Sequence, residues 1–280
     1  MKIKISADST CDLSRELIEA YDIGITPLYI VRGEEALRDG IDITPQDIYA
    51  YVAREGTLCS TAAVNVADYL EVFQQWREEY DAIVHFTISS DMSACYQNAV
   101  IAASDLSDVY VVDSRNLSNG IGLLVLRAAE LAREGTAPDE IKRILDEQQE
   151  KLEVSFVVDT LEYLHKGGRC SAIAALGANL LSLKPCVEVK EGRMGVGKKY
   201  RGTTVKCLLK YVEDRLKGRD DLDLSRIFIV DSGVDPAIVE QVEQKVREYG
   251  AFEEVLRTKA GCTISNHCGP NTLGIMFSRK

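Results

Sequence analysis

Histidine is scarce in this chain, with 3 residues in 280. The 8 cysteines form no C-x-x-C pair. A structural zinc needs a full set of closely spaced N or S ligands, so no metal is expected. No run approaches the roughly 18 apolar residues that cross a bilayer. Basic residues are outnumbered: 33 Lys and Arg against 44 Asp and Glu leave a net charge of −11. General nucleic-acid binding needs a basic face that displaces phosphate counterions, so this balance fits it poorly, although a local basic pocket is still allowed. Glycine signatures are missing too. There is no G-x-G-x-x-G for a dinucleotide and no G-x-S-x-G elbow for a hydrolase serine. Gly192 to Lys198 reads G-x-x-x-x-G-K. Yet Lys199 stands where a P-loop needs Ser or Thr, and the glycines fall in a hairpin turn instead of between strand and helix. No cofactor is expected. There is no low-complexity segment and no Pro- or Gly-rich linker.

What is present is ordinary globular composition, with 46% hydrophobic and 28% charged residues. A chain of this length makes one large domain or two medium ones. The start, MKIKISADST, reads as a first strand and not as a basic region followed by an apolar stretch. No signal peptide is expected, and a cytoplasmic location with reduced thiols follows.

Short β-rich segments (KIKISA, ITPLYIV, AIVHFTI, VYVVD) alternate with longer helical ones. In PAIVEQVEQKVREY, residues Ile238, Val239, Val242, Val246 and Tyr249 share one face at the 3.6 period. Ile121 to Ala132 is apolar nearly all round and predicts a buried helix. The pattern predicts an α/β protein whose first half carries a mainly parallel sheet. Near residue 150 an acidic helix ends and VSFVVD begins a strand. KPCVEVK, Glu191-Gly192 and RMGVGKK then signal an antiparallel hairpin, so the second half should carry a mixed sheet. The expected domains are residues 1–152 and 153–280.

Several stretches place chemistry at turns. Three strands end in Asp-Ser: Asp8-Ser9, Asp113-Ser114 and Asp231-Ser232. In open α/β sheets ligands bind beyond the carboxyl ends of strands; the plainer reading is that these residues cap the next helices. In SSDMSACYQNA, Ser89, Ser90 and Ser93 precede or open a helix, whose N-terminus favours anions. Here the plainer reading is capping by Ser90 or Asp91. In HKGGRCS, the glycine pair marks a helix C-cap, and Arg169 leaves that turn, able to meet a carboxylate with two hydrogen bonds. Its alternative is a solvated surface arginine. His165 reads as an exposed helix end and His85 as a satisfied core histidine. His267 precedes Cys268-Gly269-Pro270-Asn271 on a turn beside the last strand, where it either faces a crevice or does nothing.

Taken together, DST-x-DL at Asp8 to Leu13, the Thr61 segment, SSDMS-x-x-YQNA, VVDS, TLEYLHKGGR, LLSLKP, Lys199-x-Arg201-Gly202 and NHCGPNTLGI resemble the DegV family, over almost the whole chain and in the family's order. The resemblance implies two α/β domains, with an acyl chain buried in the C-terminal one and its carboxylate near their junction. It implies a bacterial lipid-binding subunit, not an enzyme on its own. Such a subunit presents a long-chain fatty acid to a separate ATP-dependent fatty acid kinase. Carried over by residue, it implies ligand contacts at Thr61 and Ser93; Ser90 beside the same helix start and Gly168, whose backbone a bound group can approach, are taken as further ligand contacts. The resemblance gives phosphoryl-transfer support to Arg169, Arg201 and His267. The partners implied are the fatty acid and the kinase, with room for a transient membrane-surface contact and none for nucleic acid.

This chain departs from the family at Ala62-Ala63-Val64-Asn65, where Ser-Gln-Pro-Ser is usual, and at Cys95, Cys268 and Asn271. A different lipid is therefore an alternative. A second alternative is a small-molecule enzyme like the related dihydroxyacetone kinase substrate subunits, with His267 as nucleophile. Ile173 to Leu183, with Val187 and Val189, offers apolar walls for a tail, or else ordinary core packing.

Overall fold

The strand Ile3–Asp8 (β1) is buried at all but its first residue. Burial on both faces marks a central strand of a parallel sheet. Its neighbours on either side, Gly24–Thr26 (β2) and Ala82–Thr87 (β6), both run parallel to it. In this computed structural model, which describes residues 1–170 and 183–280, the chain falls into two compact units. The first comprises Met1–Thr44, Cys59–Glu150 and Gly261–Thr263, and the second Pro45–Leu58, Lys151–Ala260 and Ile264–Lys280.

The first unit holds an all-parallel four-stranded sheet in the order β2-β1-β6-β7, with β7 at Val109–Asp113. A smaller antiparallel sheet joins Tyr29–Arg32 (β3) to Glu35–Arg38 (β4) and Ser60–Ala62 (β5). The segment ITPLYIV, expected as one strand, is divided. Pro27 has no N–H to give a ladder, so β2 stops at Thr26 and β3 starts in the other sheet at Tyr29. The helix Asn119–Arg133 (α5) is buried around most of its circumference, as its sequence requires.

The second unit is built on a six-stranded mixed sheet. Its strands are Leu152–Val157 (β8), Leu183–Lys190 (β9), Arg193–Arg201 (β10), Leu222–Ser232 (β11), Glu254–Lys259 (β12) and Thr272–Arg279 (β13), in the order β10-β9-β8-β13-β11-β12. Only β11 and β12 pair in parallel. The predicted hairpin is β9–β10. Glu191 (φ 51°) and Gly192 (φ 80°) both take the left-handed conformation, as a tight turn matched to strand twist demands. The P-loop-like glycines therefore lie in a hairpin.

Helices Thr204–Leu216 (α8) and Pro236–Tyr249 (α9) pack on this sheet through Leu208, Tyr211, Val212, Val239, Val242 and Val246. Tyr211 is the polar member of that core. Its hydroxyl donates to the Ser155 carbonyl at 2.7 Å and accepts the Ile275 amide at 3.0 Å, so the buried oxygen is satisfied. All eight cysteines are buried thiols, and none is joined in a disulfide among the described residues.

Candidate functional site

In the first unit the parallel strands end at Asp8, Thr26, Thr87 and Asp113. The turn after β6 carries Ser90 and Ser93. The Ser90 amide donates to Asp113 at 3.1 Å, and Arg115 pairs with Asp91 at 2.7 Å. Neither Ser90 nor Asp91 caps the following helix. That helix, Cys95–Ala103 (α4), opens two residues beyond Ser93, with Ala94 at the cap position and no side-chain cap bond there. Ser93 takes up that role itself. Its oxygen accepts the Cys95 amide at 3.3 Å, and its hydroxyl points at Cys95 Sγ, 3.2 Å away. Sulfur is a weak acceptor, so a carboxylate arriving at Ser93 would offer the hydroxyl a stronger bond.

Thr61 lies in β5 opposite Ile30. Asn98 of α4 donates to the Val64 carbonyl at 2.8 Å, which ties the Ser93 helix to the segment just after Thr61. Asn65, where the family usually has serine, caps the helix Val66–Arg77 (α3) by accepting the Asp68 amide at 2.9 Å. Asn and Ser are both good N-caps, so this departure is absorbed locally.

The Asp-Ser pairs bind turns, not long helices. Asp8 accepts the Thr10 and Ile88 amides, and Asp113 the Ser90 and Arg115 amides. Asp231 accepts the Val234 amide and pairs with Lys259, whereas α9 is capped by Asp235. Ser232 instead bonds Tyr49 and Ser265, a hydroxyl chain that no local motif announces. His85 is satisfied on one side only. Its Nδ1 meets Ser6 Oγ at 2.9 Å, while Nε2 has no hydrogen-bond partner among the described residues. The Tyr69 and Phe73 rings stand edge-on to it, and burial pushes its pKa down to about 3.

In the second unit the helix Glu162–Gly167 (α7) ends at Gly168, whose φ of 69° is the left-handed cap predicted for the glycine pair. Arg169 follows, exposed, and its guanidinium donates to the Gly167 carbonyl at 3.0 Å. His267 is not on a turn. It sits in the last turn of a short helix, Cys262–Cys268 (α10), and is mostly shielded from solvent. Burial pushes its pKa down to about 4, and Arg169 adds to the shift. The imidazole is therefore neutral near pH 7. Arg201 ends the edge strand β10 opposite Leu183 and is exposed. Neither Arg169 nor Arg201 has an acidic partner among the described residues, in a chain of net charge −11.

The structure thus brings together Gly168, Arg169 and His267 in one unit, and Ser90 and Ser93, with Thr61 one hydrogen-bonded segment away, in the other. Of the expected tail-lining residues, Val187 and Val189 are buried in β9, and residues 173–182 lie outside the described residues. Gly167, not among the expected site residues, lies against His267: a Cβ built on it would fall 2.3 Å from Nδ1. Its signal in the sequence is a second glycine where a C-cap requires one.

An all-parallel sheet in one unit and a six-stranded mixed sheet in the other define an α/β protein of two units. The family model "Uncharacterised protein, DegV family" matches residues 2–280, and the chain belongs to that family. It is 32% identical over 280 residues to a DegV domain-containing protein of Clostridium perfringens, covering 99% of this chain and 98% of that one. It is 30% identical over 281 residues to a protein of Thermotoga maritima named as a fatty acid-binding protein, covering 98% and 96%. A solved DegV family structure from Thermus thermophilus, reported for its fatty acid binding, matches with a TM-score of 0.90 and 32% identity, covering 99% of this chain and 100% of that one.

Proposed function

We propose that this chain binds a long-chain fatty acid and presents its carboxylate to a separate ATP-dependent kinase. In that step a carboxylate oxygen attacks the γ-phosphorus of ATP held by the kinase, the bond to the β-phosphate oxygen breaks, and acyl phosphate and ADP result. The observation that carries this reading is the pair of exposed guanidiniums, Arg169 and Arg201, without acidic partners among the described residues. In so acidic a chain, arginines are readily paired, and two left open suit an anion. Full-length relatives named for fatty acid binding support the same ligand.

The energetics favour a buried tail. Each CH₂ removed from water contributes about 0.8 kcal/mol, or on the order of 12 kcal/mol for roughly 15 methylenes before ordering costs. A bare carboxylate buried with it would cancel much of that gain. Thr61, Ser90, Ser93 and the backbone at Gly168 are assigned to the head group. Arg169 and Arg201 are assigned to the charge that grows on the transferring phosphoryl group, with His267 orienting it. The division into domains 1–152 and 153–280 and a transient membrane-surface contact belong to this reading. The alternative in which His267 attacks a small ketone would have to use Nε2, because the Nδ1 edge of its ring is packed against Gly167.

The test adds a fatty acid kinase and ATP to the lipid-loaded chain. Arg169→Ala and His267→Ala are expected to slow acyl-phosphate formation by on the order of 10²-fold with bound lipid unchanged. Equal turnover in wild type and both variants would remove these residues from the mechanism.

A further inference from the structure

Gly167 stands at the meeting point of two residues the proposed function uses. Its carbonyl accepts the Arg169 guanidinium at 3.0 Å. A Cβ built on it would lie 2.3 Å from His267 Nδ1 and 3.1 Å from Cε1 of the same ring. No real Cβ survives such a contact, so the imidazole occupies the space a side chain would fill. A second glycine repeats the arrangement along the same pair of elements: a Cβ on Gly269, just past α10, would lie 2.6 Å from the Tyr163 ring of α7. The backbone of α7 and the segment carrying His267 therefore approach at two side-chain-free points.

The backbone does not itself demand glycine at position 167. Gly167 is helical, whereas its neighbour Gly168 has φ 69° and open space around its Cβ position. One glycine of the pair serves the chain's turn. The other serves a neighbour.

We propose that Gly167 is a positioning residue for His267: the missing side chain lets the imidazole seat against the α7 backbone, beside the turn that holds Arg169. The proposal rests on the function given above and deepens it. Seated there, the ring is mostly withdrawn from water and within reach of the charge of Arg169, and these are the two influences that keep it neutral, burial first and the arginine second.

A substitution cycle tests this without the kinase. Gly167→Ala lowers the unfolding midpoint in the wild-type background, because the added methyl group and the His267 ring cannot share the space. In the His267→Ala background the same change leaves the midpoint unchanged or raises it, since alanine is the better helix former. In NMR titrations of Gly167→Ala, the His267 imidazole moves from about 4 toward its ordinary value of 6.5. With a kinase present, Gly167→Ala reduces kcat for acyl-phosphate formation on the order of 10²-fold, as a misplacement of about 1 Å does, with KM and bound lipid little changed. Equal destabilisation in both backgrounds, or an unmoved His267 titration, overturns the proposal. If wild type and variant alike form no acyl phosphate, the kinase reading fails while the cycle and the titration still decide the role of Gly167.

Discussion

At the residue scale, buried titratable groups tie stability to pH, and their signs differ. His85 is wholly buried and its pKa is pushed down to about 3. The unfolded chain takes up a proton near the ordinary value of 6.5, and the folded chain does not until about 3. Stability from this group is present above 6.5 and is lost as pH falls through that window, at about 1.4 kcal/mol per pH unit. His267 acts in the same sense between about 6.5 and 4. Asp8 acts in the opposite sense: burial raises its pKa to about 6, so between there and its ordinary 3.8 the folded state holds the extra proton and gains stability as pH falls. Asp12 is raised as well, by the same cause. Because these contributions oppose, the whole-protein curve hides them, and a difference between variants isolates one. His85→Gln is expected to become progressively more stable relative to wild type as pH is lowered from 6 to 4, by about 1.4 kcal/mol per unit. Denaturant titrations at a series of pH values measure this. Parallel curves would mean that His85 is already charged in the folded protein.

At the element scale, α10 shows why the candidate site was only partly legible. Its amides at Cys262 and Thr263 donate to the Asp39 carboxylate at 2.8 and 3.0 Å, and the amide of Gly261 donates to Asp12 at 2.8 Å. Asp39 is 223 residues away from Cys262 in sequence, so no local cap motif precedes this helix, and the segment reads as a Gly/Ser/Asn-rich turn. The hairpin at Glu191-Gly192, the buried helix α5 and the apolar face of α9 were legible because each is specified by neighbours a few residues apart. The start of α4 was displaced because its cap bond comes from Ser93 and not from the earlier Ser90 or Asp91. The break at Pro27 was visible as a proline, but the strand's change of sheet was not. Asp39→Ala is expected to cost about 1–2 kcal/mol, the scale of a lost N-cap, and to speed hydrogen exchange at the Cys262 and Thr263 amides. Asp39→Asn, which keeps an acceptor oxygen, is expected to cost less. Unchanged exchange in the alanine variant would show that the carboxylate does not hold the helix start.

At the scale of the whole molecule, two features frame the chemistry. The surface is acidic, with a net charge of −11, and none of the described helices is long and apolar enough to cross a membrane. Against that background, the proposed reading requires local donors, and not any general positive field, to meet the single negative charge of an amphiphile. The family resemblance read from scattered motifs agrees with the full-length match to the family. Two of those motifs lie at turns, one at the left-handed Gly168 and one around Ser93 after β6. Every role proposed for the arginines and for His267 depends on the ligand. Organic extraction of the purified chain, followed by mass spectrometry and by uptake of added long-chain fatty acid, measures it directly. A stoichiometric long-chain fatty acid, exchangeable with the added one, is the predicted result. A chain that carries no lipid and takes up no fatty acid would contradict it.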